Sequence, residues 1–253
     1  MSNPTIALTQ LTFDLPMYPA LIRKFRGAVA ESVRQHEAVF ERAGVPTQVF
    51  HNHTQPITVP AGSAPVQDGN DPGRTFDYPL VQYKIRHKRA SIVGIGTGAQ
   101  AVQLWFSLVG EQLRIDGQDC ALEVYAHEHR QWKPALSDTL YRYRINKWLP
   151  LNAEKHKTWK QTARLSERVA LLDKALWGHF FHLAEGLGLA PDREQLSLYL
   201  NSIDMSTYKS CFGIQKLALD VTFESNLPLP EEIGLGQGVS IGFGKVQSLN
   251  SKK

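Results

Sequence analysis

Residues 80–98, Leu-Val-Gln-Tyr-Lys-Ile-Arg-His-Lys-Arg-Ala-Ser-Ile-Val-Gly-Ile-Gly-Thr-Gly, decide the fold of this chain. Residues 80–85 and 90–95 are rich in apolar and β-branched side chains, which predicts two strands. The four residues between them, 86–89, form a turn too short for a crossover, so the strands must be antiparallel neighbours. The glycines after the second strand lead into residues 99–109, whose apolar spacing predicts a helix.

The segments on either side complete a pattern of strands and helices. Residues 5–13 alternate as a first strand, and Pro16 and Pro19 open a helix with apolar residues at helical spacing. Residues 113–115 and 121–125 are expected to form further strands. The order strand, helix, strand, strand, helix, strand is typical of a ferredoxin-like domain, the architecture of RNA-recognition modules.

The second half of the chain indicates the same order again. Residues 140–148 predict a strand, 162–187 a helix and 214–223 a long strand, before a glycine-rich loop enters a final strand. We therefore predict an α+β fold of tandem ferredoxin-like, RNA-recognition-motif-like domains with antiparallel sheets. The expected domains are 1–133, which carries a catalytic loop, and 134–253, which binds RNA and carries the glycine-rich loop.

Composition narrows the class of protein. The chain has 253 residues, a net charge of +4 and two cysteines, too few for a disulfide framework or a thiolate zinc site. No apolar run approaches the roughly 20 residues of a membrane span, and residues 1–4 do not begin a signal peptide. We therefore expect no membrane association and a cytoplasmic location.

Positive charge is concentrated in two stretches, residues 84–89 and residues 140–174. The second holds nine Lys and Arg against three acidic residues. Its interleaved aromatic residues are Tyr141, Tyr143, Trp148 and Trp159. Cations beside aromatic rings are typical of surfaces that bind a phosphate backbone and unstacked bases. Two ordinary solvated faces are the other interpretation, and composition alone leaves both open.

Several motifs resemble those of a known family. Gly234-Leu235-Gly236 and, five residues on, Gly242-Phe243-Gly244 resemble the signature loop of the repeat-processing CRISPR endoribonucleases. These are the Cas-six family of the repeat-associated RNA-binding superfamily. Three further segments resemble its six-b branch: Phe50-His51-Asn52-His53, Tyr78-Pro79-Leu80-Val81-Gln82-Tyr83-Lys84 and Ile92-Val93-Gly94-Ile95-Gly96. The resemblance covers most of the chain.

The resemblance implies a protein that binds CRISPR repeat RNA across two domains. It implies cleavage of the precursor within its repeats, without a metal, leaving a 5′-hydroxyl and a 2′,3′-cyclic phosphate on guide RNAs. A homodimer and other CRISPR-associated proteins as partners are compatible with it. The RNA-binding residues that we expect are Lys84, Arg86, Arg142, Arg144, Lys147, Gly234, Gly236, Gly242 and Gly244.

Histidines are the candidate catalytic residues. The RNA supplies its own nucleophile, the 2′-hydroxyl, so the protein needs a base, an acid and positive charge, with no metal or cofactor. Histidine suits the first two roles because its unperturbed pKa is about 6.5. His51 and His53 lie two apart in a long loop at residues 45–74, so in an extended segment both point the same way. The resemblance assigns them the acid and base roles in an order left open.

Two further residues compete for a catalytic role. Some family members use a tyrosine soon after the histidines, but Phe76 stands at the matching position here, which makes Tyr78 the candidate. His36 is a rival because other branches keep a histidine near that position. A histidine at a helix C-terminus can equally serve only to meet the helix dipole.

Two other functions are compatible with parts of the sequence. A non-catalytic repeat-RNA-binding subunit of a CRISPR complex predicts the same fold and the same glycine-rich loop. Gly94-Ile95-Gly96-Thr97-Gly98, followed by Asp116, also matches a loose dinucleotide-binding pattern. The antiparallel hairpin before it argues against a dinucleotide, because that motif belongs to parallel sheets.

Overall fold

The structure is a computed structural model that describes residues 4–51 and 77–249. Its backbone forms two compact units. Of the described residues, unit 1 holds 4–51, 79–133 and 240–242, and unit 2 holds the remainder. No helix in the described part of the chain is long and apolar enough to cross a membrane.

Unit 1 is built on a four-stranded antiparallel sheet. Its elements in chain order are β1 (Ile6–Pro16), α1 (Ile22–Gln35), α2 (Glu37–Arg42), β2 (Val81–Arg86), β3 (Arg89–Ile95), α3 (Thr97–Val109), β4 (Gln112–Ile115), β5 (Gln118–Ala121) and β6 (Val124–Trp132). The strands of the main sheet lie in the order β2-β3-β1-β6. With α1 and α3 as the two connecting helices, this is the predicted ferredoxin-like pattern.

Aromatic side chains hold the helices of unit 1 to one face of its sheet. The Phe13 ring meets Phe25 and Trp105 edge-on, with centroids 6.3 and 6.2 Å apart. Phe25 in turn meets Tyr83 of β2 at 5.9 Å. The indole N–H of the buried Trp105 donates to the Ser32 hydroxyl at 2.8 Å, so burial leaves this donor satisfied.

The predicted strand at residues 113–115 is confirmed as part of β4, whereas the one at 121–125 is wrong, because these residues hold the end of β5 and the start of β6. β4 and β5 form a separate two-stranded hairpin, and the fourth strand of the main sheet is β6. The turn explains the hairpin, because Asp116 and Gly117 both have positive φ, as a type I′ turn requires. The chain leaves the hairpin at Leu122, whose N–H donates to the Glu111 carbonyl at 2.7 Å.

Unit 2 carries a second four-stranded antiparallel sheet. Its elements are β7 (Tyr141–Trp148), α4 (Ala153–Gln161), α5 (Leu165–Gly186), β8 (Leu198–Cys211), β9 (Ile214–Ser225) and β10 (Lys245–Ser248). The strand order is β10-β7-β9-β8. The predicted strand at 140–148, helix at 162–187 and strand at 214–223 are confirmed with small shifts at their ends. α4 and β8 were not predicted.

The connection between β9 and β10 departs from a complete ferredoxin-like unit. Within residues 226–244, all of which the structure describes, the chain forms a 3₁₀ turn at Val239–Ile241 and no α-helix. The glycine-rich loop therefore occupies the place in the chain where a second helix would stand. α5 is the long helix that packs against this sheet, through buried residues such as Leu172, Leu176 and Phe180.

Candidate functional site

His51 follows directly on a short 3₁₀ helix, Thr47–Phe50, in unit 1. The last residue of that turn, Phe50, is 1 % exposed, and its ring packs edge-on against Phe40 at 5.9 Å. His51 itself is half-buried, and its backbone N–H donates to the Gln48 carbonyl at 2.9 Å. The buried phenylalanine thus fixes the backbone that carries a partly exposed imidazole, as a general acid or base requires.

His36 lies between α1 and α2, also in unit 1. Its ring Nδ1 is 2.8 Å from the Ser32 carbonyl oxygen. Because a carbonyl only accepts, Nδ1 must carry a proton, and in the neutral ring Nε2 keeps the lone pair. That tautomer suits a base acting through Nε2. The same bond is also an ordinary helix C-terminal contact, so both interpretations of His36 stay open.

The other two catalytic candidates are His53 and Tyr78. His53 lies outside the described residues, as does Phe76. Tyr78 is 4 % exposed, and its hydroxyl donates to the Gly234 carbonyl at 2.9 Å in unit 2. A Cβ on Gly186 would lie 2.4 Å from the Tyr78 Cβ, so the α5 backbone approaches this side chain closely. Tyr78 therefore has a structural role, and its catalytic role stays a prediction.

The three predicted RNA-binding cations on β7 differ in their exposure and in their neighbours. Arg142 and Lys147 are exposed. Arg144 is half-buried, and its guanidinium lies 3.7 Å from carboxylate oxygens of both Asp204 and Asp220. These carboxylates would compete with a phosphate for Arg144, so its contact with RNA stays a prediction, as do those of the exposed Arg142 and Lys147.

Two predicted RNA-binding residues lie on β2 of unit 1. Arg86 pairs with Glu128, and its hydrogen bond holds the pKa of the Glu128 carboxyl below its ordinary value. Lys84 is 0 % exposed and, because side chains alternate along a strand, lies on the sheet face opposite Tyr83 and the helices. Contact between Lys84 and RNA requires that this side chain become accessible, and it stays a prediction.

Two of the four aromatic residues in the basic stretch face the core of unit 2. Tyr143 is 2 % and Trp148 0 % exposed, and the Tyr143 ring stacks on Phe223 at 5.3 Å. Tyr143 and Trp148 are therefore not placed to receive an unstacked base, and the RNA-binding interpretation of this stretch does not extend to them. Alternation along β7 explains the burial of Tyr143, which points inward with Ile145 while Arg142 points outward. Trp148 points inward because the strand is irregular between Ile145 and Trp148, where the register shifts and Lys147 has a positive φ.

The glycine-rich loop, residues 234–244, is tightly packed. A Cβ on Gly244 would lie 1.8 Å from the Leu235 carbonyl oxygen, and one on Gly236 would lie 2.6 Å from the Trp148 ring. Both glycines have positive φ, +66° and +102°. Four N–H groups of the loop donate to backbone carbonyls. The donors are the N–H groups of Leu235, Gln237, Phe243 and Gly244. Packing alone thus accounts for these two glycines, and phosphate contacts at Gly234, Gly236, Gly242 and Gly244 stay predictions.

The glycines at residues 94–98 serve close packing. A Cβ on Gly94 would lie 2.4 Å from the Gly98 carbonyl oxygen, and one on Gly98 would lie 2.2 Å from that of Leu80. β3, which contains Gly94 and leads into the other glycines, is antiparallel to both neighbouring strands, so the parallel unit of a dinucleotide site is lacking in this described part of unit 1. Asp116 pairs with Lys24. The dinucleotide interpretation is rejected on these grounds.

Metal binding finds no ready site in the part of the chain that the structure describes. Among residues 4–51 and 77–249, no group of three or more His, Cys, Asp or Glu side chains could hold a metal ion. His129, for example, makes hydrogen bonds with Thr9 and Gln131. Metal independence of the reaction stays a prediction.

Sequence comparison with protein families covers most of the chain. The model of the Cas6b N-terminal domain matches residues 67–133, and that of the Cas6b C-terminal domain matches residues 135–249. The chain belongs to the Cas6b family. This confirms the resemblance to the six-b branch. The matched residues include Tyr78 and the glycine-rich loop, whereas His36, His51 and His53 precede them.

Solved structures of Cas6b and related proteins share this fold. A crystal structure of Cas6b matches with a TM-score of 0.73 at 19% identity, covering 97% of this chain and 100% of that one. The CRISPR RNA processing endoribonuclease Cas6b matches with a TM-score of 0.65 at 16% identity and the same coverage. Csf5, a type IV CRISPR-Cas Cas6 crRNA endonuclease, gives 0.52 at 13% identity, covering 97% and 99%. The curated protein sequences contain no match.

One histidine of this Cas6b-family chain has a markedly altered environment. The Trp148 indole N–H donates to His179 Nδ1 at 3.2 Å in unit 2, and the two rings meet edge-on. Burial, reinforced by the charges of His182 and Lys155, lowers the pKa of His179 to about 3. The imidazole is therefore neutral at neutral pH and accepts the indole hydrogen bond. The Trp148 ring also packs against Gly236. By holding the Trp148 indole, His179 therefore supports the glycine-rich loop indirectly.

We expect the protein to lose stability as the pH falls from 6.5 to 5. Unfolded His179, with an ordinary pKa of about 6.5, takes up a proton in this range whereas the folded residue does not, so each pH unit costs up to about 1.4 kcal/mol. His179→Gln should flatten the plot of unfolding free energy against pH, measured by chemical denaturation. The exposed His127 of β6 supplies the control, since His127→Gln should leave the slope unchanged. An unaltered slope in His179→Gln contradicts this assignment.

Proposed function

We propose that this Cas6b-family protein is a metal-independent endoribonuclease that cuts CRISPR precursor RNA within its repeats to produce guide RNAs. The observation that carries the proposal is His51, a partly exposed imidazole on a backbone anchored by the buried Phe50. Two structures with the same fold support the activity, one of a CRISPR RNA processing endoribonuclease and one of a crRNA endonuclease. A transcript as substrate is also consistent with the expected cytoplasmic location.

The proposed reaction needs only two protein groups that transfer protons. One imidazole takes the proton of a ribose 2′-hydroxyl, and the 2′-oxygen forms a bond to the adjacent phosphorus. The bond from phosphorus to the 5′-oxygen breaks as the leaving oxygen receives a proton from the second group. The products carry a 2′,3′-cyclic phosphate and a 5′-hydroxyl. We assign the two roles to His51 and His53, in either order, with His36 and Tyr78 as alternatives.

A labelled repeat RNA incubated with the protein in excess EDTA tests the proposal. We expect one cut in each repeat, because no step of the scheme uses a metal ion. A scrambled RNA of the same length and composition is the control and should stay whole. Cutting that stops in EDTA and returns with Mg²⁺ contradicts the proposal of metal independence.

The second candidate function is a non-catalytic repeat-RNA-binding subunit of a CRISPR complex. Two observations favour it. The Tyr78 hydroxyl already donates a hydrogen bond to the Gly234 carbonyl, and Lys84 is fully buried, so neither side chain is presented to a substrate. Such a subunit would bind the repeat RNA in the same assay and leave it whole. A homodimer and other CRISPR-associated partners stay predictions.

A further inference from the structure

A surface of unit 2, distant in sequence from the catalytic candidates, combines lysines with an exposed aromatic pair. The Tyr208 ring on β8 is 50 % exposed and lies 5.8 Å from the ring of His156 on α4. The Tyr208 hydroxyl is 3.3 Å from His156 Nε2, within hydrogen-bond distance. We call this the α4–β8 surface and define it by Lys155, His156, Lys157, Lys160 and Tyr208. All three of these lysines are exposed.

Positive charge on the α4–β8 surface is poorly balanced by acidic residues. The nine residues of α4 contain Glu154 alone against three lysines. Residues 205–219, which form the distal part of the β8–β9 hairpin, contain two lysines and no acidic residue. The acidic residues that flank this part, Asp204 and Asp220, both lie 3.7 Å from Arg144, which offsets their charge. The surface therefore suits a polyanion.

The aromatic pair is suited to stacking. Burial, together with the charge of Lys160, lowers the pKa of His156, so the imidazole is neutral at neutral pH. A neutral ring beside a half-exposed tyrosine offers an apolar platform of the kind on which unpaired bases stack. Trp159 on the same helix is not part of this platform, because the Arg168 guanidinium lies 5.3 Å from its ring centre.

The residue types also distinguish between classes of partner. Contacts between proteins are depleted in lysine, whereas surfaces that follow a single nucleic-acid strand combine lysines with aromatic rings. Three lysines beside one aromatic pair thus favour RNA over a protein. Stacking further favours a single strand over a duplex, whose bases are already stacked on each other.

We propose that the α4–β8 surface binds a single-stranded segment of the RNA outside the site of cutting. One base stacks on the Tyr208 and His156 rings, and the neighbouring phosphates contact Lys155, Lys157 and Lys160. The choice of RNA as the polyanion rests on the proposed function. The surface increases affinity and takes no part in proton transfer.

Fluorescence anisotropy with labelled repeat RNA that carries flanking nucleotides tests the proposal. Loss of one stacked base should weaken binding of Tyr208→Ala roughly tenfold, while Tyr208→Phe should bind as the unaltered protein does. Tyr199→Ala is the matched control, because Tyr199 lies on the same strand, is 54 % exposed and faces Glu224 across the sheet. A variant with Lys155, Lys157 and Lys160 changed to Gln should lower the slope of log K against log salt by about 2.

Two further probes separate this proposal from the proposed function. Labelled polyuridine tests the surface without requiring a repeat. Binding of polyuridine that depends on Tyr208 supports the surface even where repeat RNA is not cut. Absence of cutting then contradicts only the proposed endoribonuclease activity. Equal loss of affinity in Tyr208→Ala and Tyr199→Ala, or none in either, overturns the surface even where repeat RNA is cut. A duplex RNA that binds as tightly as the single strand and with the same dependence on Tyr208 also overturns it.

Discussion

Replacing His51 and His53 together by alanine is expected to abolish cutting of repeat RNA while leaving its affinity within a few-fold. A positioned acid or base contributes about 10²–10⁴ in rate, so loss of both should lower the cleavage rate by at least about 10³. Affinity should survive because it depends on the cations and aromatic residues of other segments. The measurement is a single-turnover assay with protein in excess, in which weaker binding does not lower the observed rate.

Two single variants accompany the double variant. His127→Ala serves as a control, because this exposed histidine on β6 should have no effect on cutting. His36→Ala tests the rival base, whose Nδ1 already bonds the Ser32 carbonyl. Full activity of the His51 and His53 double variant, with loss of activity in His36→Ala, would move the catalytic role to His36.

Gly244→Ala is expected to destabilise the protein more than alanine at Gly188 or Gly178, two glycines with open space around them. The new Cβ would lie 1.8 Å from the Leu235 carbonyl oxygen, and the residue has a φ of +66°. Left-handed backbone alone costs an L-residue about 1–2 kcal/mol, and a clash with backbone forces the loop to shift. We expect a total of at least about 3 kcal/mol, a large share of ordinary domain stability. Thermal or chemical unfolding measures it.

Two other glycines separate the cost of the left-handed backbone from the cost of the clash with Leu235. Gly188 has the same φ of +66° but nothing within 4 Å of a built Cβ, so Gly188→Ala should cost about 1 kcal/mol. Gly178 lies inside α5 with free space around it, so Gly178→Ala should be neutral or stabilise by up to about 1 kcal/mol. A Gly244→Ala protein as stable as Gly188→Ala contradicts the close packing of the loop.

Local sequence patterns were sufficient for much of the fold. The hairpin at residues 80–95 required antiparallel strands, and the apolar spacing of α1, α3 and α5 identified the helices. Apolar spacing does not reveal α4, because most of its side chains are polar and none of its residues is buried. The one local signal is Asn152, whose side chain caps the helix by accepting from the Lys155 N–H. β8 was missed because most of its 14 residues are exposed, so no apolar alternation marks it.

The candidate site was less predictable because burial depends on contacts between distant segments. Lys84 and Tyr143 belong to residue types that commonly contact RNA, yet both are buried, and the Tyr143 ring stacks on Phe223, which lies far away in sequence. The glycine-rich loop is recognisable as a motif, but the reason for Gly244, where a Cβ would collide with the Leu235 carbonyl oxygen, is visible only in the folded backbone. By contrast, Phe50 next to His51 was visible in the sequence, and its burial explains why that histidine is held in place.

The most direct test of the account replaces one hydroxyl group of the substrate by hydrogen. Once the cut is mapped, a repeat RNA with a single 2′-deoxy nucleotide on the 5′ side of the scissile phosphate removes the proposed nucleophile and leaves the protein unaltered. We predict that this RNA binds with the affinity of the all-ribose RNA and is not cut, while the all-ribose RNA yields a 2′,3′-cyclic phosphate. Cutting of the deoxy RNA at the same position would contradict the account.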